Sequence, residues 1–415
     1  MNYQEQIFKT REAYNSFFDY SKVDDLLEYL AHRLETDKDE LLAANQRDLD
    51  KMSVSDLRYE RLHMTSYRIA GIAADIRNVV SQPSPLGKLF EHFVCSDDLE
   101  ISKISVPLGV VGIVYEERPG LMFNAFALCI KSGNACILKG SSNAKYSNEA
   151  AVAIIKEALT RFDFNSSMIT LLPTENEATT ALLNARGYVD VVIPRGSQEL
   201  IDFVRDNAKI PIIETGKGVV HMYYDHTANR DLALTIINNS KTWSVNSHNA
   251  LECLIVHSSR LSDLFTLFNP LADARVTVYA DERSKNALHG RYPSDLLKHA
   301  DENSYGAEFL DYKMAVKTVD NIEEALEHIQ QFGSRYCEAI ISEDLENIAL
   351  FLRRVDAVAI NVNASTALTE RINLGKRTEI GISAQKLHVR GIIGLNQLIT
   401  YKWEIRGKGT QSFSI

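Results

Sequence analysis

With 415 residues, 45% of them apolar, the chain is too long for one core of ordinary size and divides into two or three domains. Its net charge of −10, with acidic groups dispersed among lysines and arginines, leaves no basic stripe for nucleic acid, and no apolar run is long enough to cross a membrane. The opening MNYQEQIFKTREAYNSFF has no signal-peptide core, and the cysteines at 95, 129, 136, 253 and 337 form no CxxC pair, so a cytoplasmic protein with reduced thiols and no metal site is expected.

Residues 1 to about 90 read as helical, with apolar positions at helical spacing in VDDLLEYLAHRLETDKDELLAANQRDLDKM and Asp37 three residues before Glu40 like a capping box. SQPSPLG (81–87) ends that pattern, and the alternation in LEISKISVPLG predicts a hairpin or extended arm. From residue 109 the period changes. GVVGIVY, ACILKG, MITLLP, VDVVIP and IPIIET are short apolar runs bounded by Gly or Pro, most of them separated by helical stretches such as AKYSNEAAVAIIKEALTRF. Strands alternating with helices imply a parallel sheet covered on both faces. LECLIVH, RVTVYAD, KMAVKTV, EAIIS and AVAINVN then form a second α/β series, roughly 227–362. Near the end, TEIGISAQKLHVRG (378–391) gathers glycines and polar residues as if returning to a site. ITYKWEIRGKG (399–409) alternates like an exposed strand, a partner for the 97–107 arm of the same or another subunit.

In open α/β sheets ligands bind outside the carboxyl ends of the strands. LKGSSNA places Lys139, Gly140 and Ser141 at such an end, and IPRGSQEL does the same with Arg195, Gly196 and Ser197. Each turn brings backbone N–H groups and a cation to phosphate or ribose oxygens. Neither GxGxxG nor GxxxxGK[ST] accompanies them, so an ordinary strand-to-helix turn is the competing account. IIETGKGVVH sets Glu214 before two glycines that let backbone approach a ligand, where burial would raise the carboxylate into the range of a general base. His221, Cys129 and Cys136 read as core residues. SVNSHNALECLIVH holds both His248 and Cys253, rival candidates for a reactive group.

The strings VPLGVVGIVYEERPG, KSGNACILKGSS, VDVVIPRGSQELI, IPIIETGKG, NALECLIVH, VNAST and EIGISAQKLHVRG, in this order over nearly the whole chain, resemble the gamma-glutamyl phosphate reductase (glutamate-5-semialdehyde dehydrogenase) family of the aldehyde dehydrogenase superfamily. The resemblance implies an aldehyde-dehydrogenase-like fold: two open parallel-sheet α/β domains and a small β oligomerisation arm. The helical lead-in and NADP-binding domain would run over 1–226, carry the 96–108 arm and receive 364–397. The catalytic domain would span 227–363 and an oligomerisation strand 398–415. It also implies NADPH-dependent reduction of L-glutamyl 5-phosphate in proline biosynthesis, a homo-oligomer, and a cofactor site that includes Lys139, Gly140, Ser141, Arg195, Gly196, Ser197 and Glu379. In that family a thiolate attacks the acyl phosphate, phosphate leaves, and hydride reduces the thioester.

The family's cysteine immediately precedes the Asn-Ala-Leu-Glu stretch, and here His248 precedes Asn249. The family's Arg-Pro-Asn is Arg118-Pro119-Gly120, so Gly120 stands where an oxyanion-holding amide is expected. TERINLGKRT (369–378) replaces a glycine-rich loop, and Lys217, Lys376 and Arg377 bring bulk where the family has small residues. The catalytic set carried over is therefore His248, Gly120, Glu214 and Asn249. Two readings follow: a reductase in which Cys253 or His248 replaces the thiolate, or an inactive relative with a nucleotide-binding, regulatory or structural role, partnered by glutamate kinase or an active reductase. Hydrolysis of the acyl phosphate with Glu214 and His248 as bases is a weaker third.

Overall fold

The computed structural model describes residues 2–16, 19–56, 58–95, 99–373 and 378–409. Lys376, Arg377 and most of the 369–378 loop's second half lie outside them. Contacts divide the chain into two units, Met1–Thr215 with Lys376–Ile415, and Gly216–Gly375.

In the first unit the expected helices form at Tyr3–Asn15, Val23–Thr36, Asp39–Leu49 and Ser66–Val80, each burying the side that carries its leucines and isoleucines. The Asp37 capping box does not form: Asp37 ends the preceding helix and pairs with Arg33 at 2.6 Å. Strands β1 (Leu89–Val94) and β2 (Glu100–Pro107) make the predicted hairpin. The unit's main sheet follows as β3 (Val110–Tyr115), β4 (Ala135–Lys139), β5 (Ile169–Leu171) and β6 (Val191–Arg195), all parallel in the order β5-β4-β3-β6. Their unbroken apolar runs are buried on both faces, as a helix-covered parallel sheet requires. IPIIET is no strand. Pro211 within it has no N–H to donate, and pairing is limited to one isolated bridge, Ile212 with Val192.

The second unit holds seven parallel strands: β7 (Val220–Tyr224), β8 (Leu251–His257), β9 (Thr277–Ala280), β10 (Leu297–His299), β11 (Lys313–Val319), β12 (Cys337–Ile341) and β13 (Ala359–Val362), in the order β10-β9-β11-β8-β7-β12-β13. The unit begins at Gly216 rather than 227 because VHMYY, a strand the apolar-run reading passed over, pairs with both β8 and β12. It keeps residues 364–373, because Thr366 N donates to Ser240 Oγ at 3.1 Å.

The chain then rejoins the first unit through β14 (Ile382–Ser383), β15 (Gly391–Ile392) and β16 (Ile399–Arg406). β16 pairs antiparallel with β2 of the same chain from Ile399↔Pro107 to Arg406↔Glu100, completing a three-stranded arm that exposes Phe90, Phe93, Val94, Tyr401 and Ile405. No helix among the described residues is long and apolar enough to cross a membrane.

Candidate active site

In the second unit, His248 lies in the loop between the helix Arg230–Thr242 and β8. An ion pair staples the ends of that loop: Lys241 Nζ meets Glu252 Oε2 at 3.1 Å with both side chains out of solvent. Burial pushes the Glu252 carboxyl up and the Lys241 ammonium down, each against the pull of its partner. Within the loop, His248 Nδ1 is 2.6 Å from Glu308 Oε1, and the same oxygen accepts the Gly218 N–H at 2.6 Å. Burial works to raise the Glu308 carboxyl, yet the His248 hydrogen bond and charge, the Gly218 N–H and Lys217 hold it below its ordinary value. An ionised carboxylate only accepts, so His248 carries its proton on Nδ1. Gly218 is obligatory, since a Cβ there would stand 1.9 Å from the His248 carbonyl oxygen. The glycine therefore permits close approach to this loop.

Asn249, expected near the chemistry, is buried, and its amide donates to the Thr366 and Ala367 carbonyls at 3.0 and 3.3 Å. It anchors the loop. Cys253 is fully buried in β8 among Ile255, Ala315 and Ile340, and its sulfur lies 3.7 Å from His328 Nε2. It is a strand residue, as its apolar setting suggests. Glu308 escaped notice in the sequence because its partners are 60 and 90 residues away.

In the first unit the two predicted phosphate turns are filled by the protein's own carboxylates. Glu116 Oε2 accepts the Ser197 N–H at 2.6 Å and Glu116 Oε1 the Ser197 hydroxyl at 3.0 Å, while a Cβ on Gly196 would come within 2.4 Å of that carboxylate. At the other turn Glu117 accepts Ser141 Oγ at 3.4 Å and Asn143 Nδ2 at 2.7 Å. Asp48, also buried, caps the helix Lys145–Arg161 through the Tyr146 and Ser147 N–H groups at 3.1 and 2.8 Å. Lys139 donates to the Thr174 carbonyl at 3.0 Å, and burial lowers its pKa despite Glu175. Gly140, Asn148, Thr174 and Glu175 line a small pocket of about 200 Å³ at the carboxyl ends of β4 and β5.

A wider cleft of about 940 Å³ in the same unit does gather predicted residues: Gly120, Arg195 and Glu379 line it together with Arg61, Arg68 and Arg118. Its four guanidinium groups stand among three carboxylates, Glu60, Asp75 and Glu379, and the excess of one cation suits an acidic ligand. Arg61 and Arg68 are seven apart in sequence, but a helix break at His63–Thr65 separates them and hides the spacing. Glu214 is not among the lining residues. Its carboxylate is a third exposed and 4.0 Å from Arg205, and its N–H donates to Gln385 Oε1 at 3.1 Å, so it is not the buried carboxylate expected.

No protein-family model matches the chain. The gamma-glutamyl phosphate reductase of Bacteroides fragilis is 51% identical over 369 residues, 89% of each chain. The crystal structure of the gamma-glutamyl phosphate reductase of Thermotoga maritima superposes over all of both chains with a TM-score of 0.93 and 32% identity. An acetylating aldehyde dehydrogenase from Geobacillus thermoglucosidasius shares the fold, with a TM-score of 0.68 at 17% identity over all of this chain and 97% of that one.

Proposed function

From the premise that this chain belongs to the gamma-glutamyl phosphate reductase family, we propose that it is a member that recognises an acidic ligand without reducing an acyl phosphate through a thioester. One observation carries this reading. His248, which the sequence resemblance sets at the family's nucleophile position, has its imidazole held by Glu308, and the nearest cysteine in sequence, Cys253, is shut into the sheet. An acylated imidazole is open to water and gives hydride transfer no advantage over a thioester, so relocating the chemistry to His248 does not restore the reduction.

The residues that would hold NADPH fit it only in part. The pocket beside Gly140 and Lys139 suits the nucleoside end, and the cofactor when bound supplies hydride. Glu116 and Glu117, however, already occupy the N–H and hydroxyl groups that phosphates would use, and their charge opposes an anion. No step is therefore assigned to the cofactor. The arginine-lined cleft would take a glutamyl-type ligand, and the exposed β1-β2-β16 arm would join copies of the chain. The role is then regulatory or structural in proline biosynthesis in the cytoplasm, beside glutamate kinase or an active reductase.

The test pairs nucleotide titration with the double substitution His248→Cys, Gly120→Asn. The asparagine must displace the Ile72 side chain, whose Cδ1 lies 2.8 Å from where a Cβ would sit, which a flexible side chain can do. Semialdehyde dehydrogenation in the double variant but not in the natural chain supports the reading. Reduction at an ordinary family rate by the natural chain, lost in His248→Ala, overturns it.

A further inference from the structure

Away from the His248 loop, one face of the second unit's sheet carries a row of chemistry-bearing side chains. β8, β7 and β12 are neighbours in that order, and their parallel registers put Cys253 beside His221 and His221 beside Glu338. Cross-strand partners of this kind project to one face about 5 Å apart. The helix Ile322–Phe332 packs over that face and delivers His328. One donor atom each from His221, Cys253 and His328 lies within 4.8 Å of the other two, and all three residues are buried.

A second observation points to a ligand. His221 has no exposed surface, and neither ring nitrogen makes a hydrogen bond of ordinary geometry among the described residues, although Cys253 and Glu338 stand close enough to hold its pKa up against burial. Its Nδ1 stands 3.5 Å from Glu338 Oε2, without hydrogen-bond geometry, while that oxygen accepts the His221 backbone N–H at 2.8 Å. The other Glu338 oxygen is also buried without a partner. Each unmade polar contact of this kind is destabilising in a buried setting. The neighbours are mostly apolar: Ile255, Ile329 and Ile340, with the rings of Tyr305 and Phe332 against His328.

We propose that His221, Cys253 and His328 bind one zinc ion. Imidazole and thiolate are the donors that zinc takes, and tetrahedral bonds of its usual lengths place ligand atoms about 3.3–3.6 Å apart. Cys253 Sγ and His328 Nε2 are already 3.7 Å apart, and all three donors lie within 4.8 Å of one another, so closure about the ion requires side-chain rotation that draws His221 inward. With Nδ1 turned to Glu338, His221 presents Nε2 to the metal, and the carboxylate becomes the partner that orients the ring and fixes its tautomer. Binding forms the zinc–sulfur bond and releases the Cys253 thiol proton to solvent. Zinc, the thiolate and the Glu338 carboxylate then sum to zero charge, which suits a site closed to water. Three protein ligands leave the fourth position to one water molecule that would be enclosed with the ion. The ion would enter as the chain folds.

The experiment uses the full chain expressed in zinc-supplemented medium and, separately, in cobalt-supplemented medium. The natural protein should retain about one zinc per chain through passage over a chelating resin. X-ray absorption at the zinc edge should show one sulfur at about 2.3 Å and nitrogen or oxygen at about 2.0–2.1 Å. The cobalt form should show a thiolate-to-metal charge-transfer band that Cys253→Ser removes and Cys95→Ser leaves intact. Metal content far below one per chain in the natural protein, copper in place of zinc, or a cobalt spectrum that survives Cys253→Ser would each overturn the proposal. Because metal content and absorption are read on the natural chain, a variant that fails to fold does not decide the outcome.

Discussion

The strand ends of the first unit and the middle of the second unit's sheet make opposite use of polar residues. At the carboxyl ends of β4 and β6, where the sequence points to a ligand, Ser141, Ser197 and the helix N-termini are satisfied internally by Glu117, Glu116 and Asp48. On the face shared by β7 and β8, where the sequence points to plain core, both His221 ring nitrogens are buried without a hydrogen bond of ordinary geometry among the described residues. A polar residue in the right topological place is thus weak evidence of a ligand when the protein itself completes its hydrogen bonds. An unsatisfied one in an unexpected place is stronger evidence, because only a bound group recovers the cost.

The contrast breaks first if paired buried groups prove dispensable. Lys241→Met leaves the Glu252 carboxylate buried without its cation, and the expected loss is about 3–5 kcal/mol of unfolding free energy. A urea titration reads it. A loss under about 1 kcal/mol would mean that Glu252 simply takes up a proton and that the staple across the His248 loop is not needed. Asp48→Ala tests the first unit in the same currency. It removes the acceptor for two helix N–H groups and the Ser147 hydroxyl, and should cost about 2 kcal/mol, the upper end for a helix cap. An unchanged midpoint would show the Lys145–Arg161 terminus open, as a phosphate site requires.

The same contrast explains what was legible in the sequence. Both sheets, the hairpin and the order of strands and helices follow from apolar runs and their breaks, which are local signals. His221 interrupts the apolar run of VHMYY and hides that strand, while the apolar composition of IPIIET does not say whether its N–H groups meet a partner strand. Lys139, Arg195 and His248 were picked out by type and position. Their partners Thr174, Glu116 and Glu308 were not, since those contacts join residues tens of positions apart. The His221–Cys253–His328 cluster has no ligand spacing to read. It exists only once strand register and an overlying helix bring three distant residues together.

Glu117→Ala sharpens the comparison on the first unit's side. If the carboxylate at the Ser141 turn is what opposes a phosphate, removing it frees the Ser141 hydroxyl and the Asn143 amide and deletes a like charge. Affinity for NADPH in a calorimetric titration should then rise about tenfold, or about 1.4 kcal/mol. Equal affinity in both proteins would mean that phosphates do not approach this turn, and that Glu117 serves only to close it.

The smallest expected effect concerns the second unit's own satisfied group. Glu308 has its carboxyl held below the ordinary value of 4.5 in the folded chain. A depressed carboxyl contributes stability that is fully present above the unfolded value and is lost as pH falls through the folded one. The Glu308 contacts to His248 and Gly218 should therefore be intact at neutral pH and fail below about 4.5. Hydrogen exchange at the Gly218 amide, corrected for its intrinsic pH dependence, reads the change directly. Protection should fall about fivefold, or about 1 kcal/mol, on acidification, and Glu308→Gln should remove the pH dependence while keeping an acceptor at that position. Protection that stays constant through the acid range in the natural chain would show that Gly218 is held by the packing of its loop alone. His248 would then be free to leave Glu308, and the clamp that distinguishes this loop would be lost as an explanation.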